Sequence, residues 1–134
     1  MSIVKVRAAL ETALNGMSPA LDTSWENNTF TPPASTVAYQ KAKLMPARPD
    51  NLEYGSGYFE QGIFQVTLMF PLQAGTSAAA TRAELLRTTF KRGNSFVDSG
   101  VTTNITRTPE IDAGIVDGDR FAMPVRIRFS AQIS

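Results

Sequence analysis

The sequence contains no histidine and no cysteine. Those two absences remove the commonest general base, the commonest metal ligand and the strongest side-chain nucleophile. Disulfides are excluded outright, which fits a reducing compartment. Charge of one sign is also lacking: 13 basic and 12 acidic side chains leave a net charge of +1, without the strong basic excess of a dedicated nucleic-acid binder. No apolar run approaches the ~20 residues needed to span a bilayer. Lys5, Arg7 and Glu11 interrupt the N-terminal apolar residues, so no signal peptide is expected there. Together these absences point to a non-enzymatic protein, with no metal or other cofactor and no membrane partner.

What is present is enough for one domain over residues 1–134. A chain of this size buries roughly two-thirds of its unfolded surface, which supports a core without staples. Ser2 is a plausible helix cap, and Ile3, Val6, Leu10, Ala13 and Leu14 recur at helical spacing until Gly16, so residues 3–15 are expected to form an amphipathic helix. A second helix is expected over 76–91, with Ala79, Ala83, Leu86 and Phe90 inward and Arg82, Glu84 and Arg87 outward. Lys91 and Arg92 suit its negative end, and Gly93 is the expected stop.

The remainder reads as β. A short strand is expected within 21–30, around the single Trp25, which reads as a core residue. Residues 36–45 place Ala38, Ala42 and Leu44 on one face and Tyr39, Lys41 and Lys43 on the other. Residues 63–72 alternate most strongly, with Phe64, Val66, Leu68 and Phe70 on one face. Two turns are expected, at Asp98-Ser99-Gly100 and at Asp117-Gly118-Asp119. The last strand carries Phe121, Met123, Val125, Ile127, Phe129, Ala131 and Ile133 on one face, with Arg126 and Arg128 on the other. Pro124 implies an edge position or a bulge near its start, since proline cannot donate to a ladder. The fold class is therefore α+β: a mixed or antiparallel sheet with two main helices packed on one face.

Three groups of residues bear on function. Between Pro46 and Gly62, about fifteen residues carry two prolines, three glycines and the aromatics Tyr54, Tyr58 and Phe59; connections of that length are usually functional or disordered. Aromatics in such a setting suit an interface. Arg126 and Arg128 share a face at strand spacing, and Lys41, Lys43 and Arg107 extend it into a positive stripe if their strands are neighbours. That stripe reads either as a solvated face or as a surface meeting a partner or passing DNA. Glu110, Asp112, Asp117 and Asp119 form an acidic cluster whose spacing departs from calcium loops, so it reads as turn and surface rather than as a metal site. Gly55-Ser56-Gly57 lacks the rest of any phosphate-binding or nucleophile-elbow signature.

Several strings resemble a family of small phage-related proteins similar to the tail terminators of long-tailed phages. They are Ser2 to Glu11, Leu44 to Asp50, Glu60 to Val66, Arg107 to Ile111, and Asp117 to Arg120 leading into Pro124 to Ile127. The resemblance runs over the whole chain. It implies a structural virion protein, assembled in the host cytoplasm as a homohexameric ring. The ring caps the tail tube, joins it to the head-side connector and lets DNA pass without sequence reading. Another neck or head-completion ring protein is the nearest alternative. A small non-catalytic ligand-binding module, with its pocket between helix 76–91 and the sheet, is the alternative from a different class.

Overall fold

In the computed structural model, which describes residues 2–51, 55–73 and 75–133, the first apolar stripe forms helix α1 (Ser2–Asn15). Val6, Ala9, Leu10 and Leu14 are buried along it, with Met17 just beyond. Ser2 is itself helical rather than the flanking cap. Helix α2 (Ser77–Thr89) buries Ala79, Ala83 and Leu86 at the spacing of one helical face, and it also buries Arg82. It ends before Lys91, because Phe90 leaves helical geometry and turns inward. That ring is fully buried, with centroids 6.1 Å from Phe64 and 5.4 Å from Phe96. Burying a phenyl ring among two others outweighs another half-turn of solvent-exposed helix.

The strands are β1 (Asp22–Ser24), β2 (Tyr39–Pro46), β3 (Asp50–Asn51), β4 (Tyr58–Pro71), β5 (Ser95–Asp98), β6 (Val101–Ile105), β7 (Glu110–Ile111), β8 (Ile115–Asp117) and β9 (Arg120–Ile133). They form one sheet in the order β1-β2-β4-β9-β6-β5, with β3 on β4, and β7 and β8 on β9. β1 runs parallel to β2, and the other pairings are antiparallel. The fold is thus α+β with a curled, mixed sheet more extensive than its strongest strands foretell. One core cluster joins Leu10 of α1 and Leu86 of α2 to Phe64, Val66, Val125 and Ile127 of the sheet.

Two sequence expectations give way here. β4 begins at Tyr58 rather than Ile63, because β9 continues to Ile133 and pairs with it residue by residue from Tyr58↔Ile133 to Pro71↔Arg120. Tyr58 and Phe59 are therefore strand residues, and the loop expected over 46–62 is shorter and contains β3. Gly62 lies inside the ladder, where the backbone of Met45 to Ala47 crosses close above it. Pro124 lies in a central strand, not an edge. Its carbonyl accepts from the Asp112 N–H at 2.9 Å, on the flank where β7 gives way to β8. A residue's N–H and C=O leave a strand on the same side, so the missing donor falls at that interruption and not in the β4 ladder.

Candidate functional site

The sheet face opposite the core is built by the even spacing of three strands. Directly opposed residues share a face. The register aligns Lys43, Gln65 and Arg126 in one row, Lys41, Thr67 and Pro124 in the next, and Met45, Ile63 and Arg128 on the other side. Lys41, Lys43, Arg126 and Arg128 therefore do lie on one face, although β2 and β9 are not neighbours and β4 separates them. The lysines are exposed and the arginines half-buried.

The stripe is less positive than its four cations imply. Arg126 Nη2 lies 3.2 Å from Asp112 Oδ2. Arg128 Nε donates to Glu110 Oε1 at 3.1 Å. The acidic cluster is thereby divided: Glu110 and Asp112 pair with the stripe, and Asp119 lies 4.0 Å from Arg120. Among the described residues, no three acidic side chains gather as metal ligands. Arg107 stands apart from the row, lining a cavity of about 490 Å³ with Arg92, Thr106, Thr108 and Glu110.

Of the aromatic group, Tyr58 and Phe59 alternate across β4 and are half-buried, with Phe59 opposite Asp50 of β3. Tyr54 lies outside the described residues. Trp25 packs, half-buried, against the core.

Residue 26, just past the short β1, does the work of a further strand residue. The Leu44 N–H of β2 donates to Glu26 Oε1 at 2.6 Å, and Arg7 Nη1 of α1 donates to the same oxygen at 3.0 Å. Burial raises the carboxyl's pKa, but the Leu44 and Arg7 hydrogen bonds and the nearby cations outweigh it, so the net shift is downward from 4.5. A depressed carboxyl contributes stability above its unfolded value and loses it as pH falls through the folded one. Glu26→Gln keeps an acceptor but loses the charge, so near neutral pH it is expected to cost about 1 kcal/mol, trimmed by solvent at its flank. Urea titrations of both proteins should converge as pH falls below 4.5, and an undiminished gap at low pH would refute the clamp.

A second cavity, about 470 Å³ and mainly apolar, lies between α2 and the segment before β1, lined by Pro19, Leu21, Phe70, Leu85 and Thr88 around Arg82. Sequence reasoning turned Arg82 outward. It is 6% exposed, and its Nη1 donates to the Pro19 carbonyl, while Nε and Nη2 find no acceptor among the described residues. Burial pushes its guanidinium pKa down. The signal was available: 79, 82, 83 and 86 fall on one helical face, and charge alone argued otherwise. On the outer side of α2, Arg87 Nε and Nη2 both donate to the Pro109 carbonyl, at 3.1 and 3.0 Å, tying the helix to the approach to β7.

No described helix is long and apolar enough to cross a membrane. No curated protein sequence matches the chain. One solved structure shares the fold with a TM-score of 0.81 and 25% identity, covering 100% of this chain and 98% of that one. The sequence profile described as Phage tail terminator protein matches residues 5–129. The chain therefore belongs to the phage tail terminator family, a structural, non-catalytic family of virion tail components that interact with other tail and head proteins.

Proposed function

We propose that this chain, acting as a single domain, forms a homohexameric ring that ends the growing tail tube and presents its other side to the head-side connector. The observation that carries this reading is the family match across residues 5–129. The sheet face bearing Lys41, Lys43, Arg126 and Arg128 supports it as a surface for phosphate groups passing without sequence reading. Tyr58 and Phe59, at the end of the long β4–β9 ladder, are proposed to meet a neighbouring subunit, with Tyr54 in the same segment. Assembly would take place in the host cytoplasm.

Tube growth in the presence of the purified chain tests the reading. Tubes are expected to stop at a fixed length with a six-fold ring at one end under electron microscopy. Tubes that elongate freely past bound protein would reject it, and a protein that binds only the connector would favour the head-completion alternative. The lumen assignment has its own test. Arg126→Gln with Arg128→Gln is expected to leave the fold intact and to lower the yield of DNA-filled particles several-fold. Glutamine is the informative choice, because glutamate would crowd Glu110 and Asp112 with two further carboxylates. A normal yield would remove these arginines from the DNA path.

A further inference from the structure

We infer that the cleft between Arg92 and Arg107, at the flank of the cation-bearing sheet face, binds phosphate groups of the DNA backbone. The inference deepens the reading of the DNA path and rests on it. Arg92 and Arg107 line one cavity of about 490 Å³ with Thr106, Thr108 and Glu110. Among the described residues neither guanidinium has a carboxylate partner, in contrast to Arg126 and Arg128. The carboxylate in the cavity is already engaged, because Glu110 Oε1 accepts from Arg128 Nε. Arg92, Arg107 and Arg128 thus set three cations against one acid. Two guanidiniums and two threonine hydroxyls can all donate, and an anion with many acceptor oxygens suits them best.

A break in the β9 ladder builds this cleft. The Thr106 N–H still donates to the Arg128 carbonyl at 3.1 Å, and pairing with β9 resumes where Glu110 opposes Arg126. Arg107, Thr108 and Pro109 therefore all stand against Ile127 alone, a bulge that takes Arg107 out of the ladder. Helix α2 pins the bulge, since the Pro109 carbonyl accepts both Arg87 bonds. The opposite bank is fixed as well. The Gly93 N–H donates to the Ile105 carbonyl and the Ile105 N–H to the Asn94 carbonyl, both at 2.9 Å, which holds the chain bearing Arg92 beside the chain bearing Arg107. Backbone anchored in this way leaves only side-chain freedom to lose on binding. Continuity favours a polymer over a lone carboxylate. Thr106 also lines a neighbouring cavity of about 380 Å³, whose Ile63 and Arg128 lie on the face that carries Lys41 and Lys43. A run of phosphates reaches both cavities and the lysines, whereas one carboxylate fills a single end.

Fluorescence anisotropy of a short labelled DNA duplex against the full chain, from about 50 to about 200 mM salt, tests the cleft. Arg92→Gln with Arg107→Gln is expected to weaken binding about tenfold at the low end and to flatten the slope of log affinity against log salt by about two. Both side chains are exposed, so melting is expected to stay unchanged. Glu110→Gln acts the other way and is expected to tighten binding about threefold, because it removes the carboxylate from the cleft. A wild-type chain that leaves the duplex free, or a double variant that binds it with the parent's salt slope, would overturn the cleft; tubes still ending in rings would then leave the terminator reading standing. Tubes that grow past a chain whose cleft still binds duplex would remove that reading and keep the cleft. An oligoglutamate peptide held by the two arginines more tightly than the duplex would overturn DNA as the occupant in favour of an acidic protein segment. Inorganic phosphate that shifts the Arg107 and Thr108 amide resonances, where duplex leaves them unmoved, would overturn it in favour of a free phosphate.

Discussion

Arg120→Met is expected to lower stability by about 3 kcal/mol and to release the segment before β2. Arg120 is 3% exposed at the start of β9, where it does the work of a tether. Its Nη2 donates to the carbonyls of Pro33 and Ala34 at 2.8 and 2.9 Å, and its Nη1 donates to the carbonyl of Val37. The guanidinium carbon also sits 4.8 Å from the centre of the Tyr39 ring, a stacking worth up to about 2 kcal/mol when desolvated. Tyr39, Met69, Ala122 and Phe30 make a small second core there, away from the main one. Methionine fills much of the volume but leaves three carbonyls to find water, which the exposed Ala34 and Val37 can do. That limits the loss to the charged hydrogen bonds and the stacking. Amide exchange should accelerate across residues 34–39 while the β4–β9 ladder keeps its protection. Arg120→Lys keeps the charge but cannot fork to two carbonyls, so it is expected to recover less than half the loss. A denaturation midpoint unchanged by Arg120→Met would refute the tether.

Much of the fold was legible because burial leaves a period. The stripe through Val6, Leu10 and Leu14 marks α1, and the alternation from Phe121 to Ile133 marks β9, since one side of each meets the core and the other meets water. The same alternation placed Arg126 and Arg128 on one face, and Lys41 and Lys43 on one face. That all four share a face depends on the β2–β4–β9 register, which no local pattern encodes. Their acidic partners stayed hidden for a related reason: β7 is two residues long, too short to show a period. Asp117-Gly118-Asp119 was legible as a turn, but the tether was not, because the partners of Arg120 are carbonyls more than eighty positions away. Arg82 was misplaced because a lone arginine on an apolar stripe is normally turned out to water. Tyr58 and Phe59 were read as loop because glycines crowd the segment, and glycine usually marks a break.

One of those glycines sets the second large effect. Gly62→Val is expected to destabilise the protein by about 3 kcal/mol, although valine is the better strand former. A Cβ at position 62 would stand 2.4 Å from the Met45 carbonyl oxygen, 3.0 Å from the Ala47 nitrogen and 3.0 Å from the Pro46 Cα. All three are backbone atoms, so no rotamer change relieves the clash, and β2 must lift. Lifting it breaks the Ala47 N–H bond to the Gln61 carbonyl at 2.8 Å and the Gln61 Nε2 bond to the Arg48 carbonyl at 2.9 Å. Those bonds turn the chain out of β2 toward β3, so the change reaches the segment that holds Tyr58 and Phe59 as well as the ladder. Gly16→Ala is the matched control. Its added carbon would lie 3.4 Å from the Thr12 carbonyl oxygen, an ordinary contact, and the expected change stays within about 0.5 kcal/mol. Thermal melts of the two variants, read beside exchange at the Ala47 amide, separate crowding from propensity. If Gly62→Val melts at or above the parent while Ala47 keeps its protection, the backbone of Met45 to Ala47 does not cross over position 62.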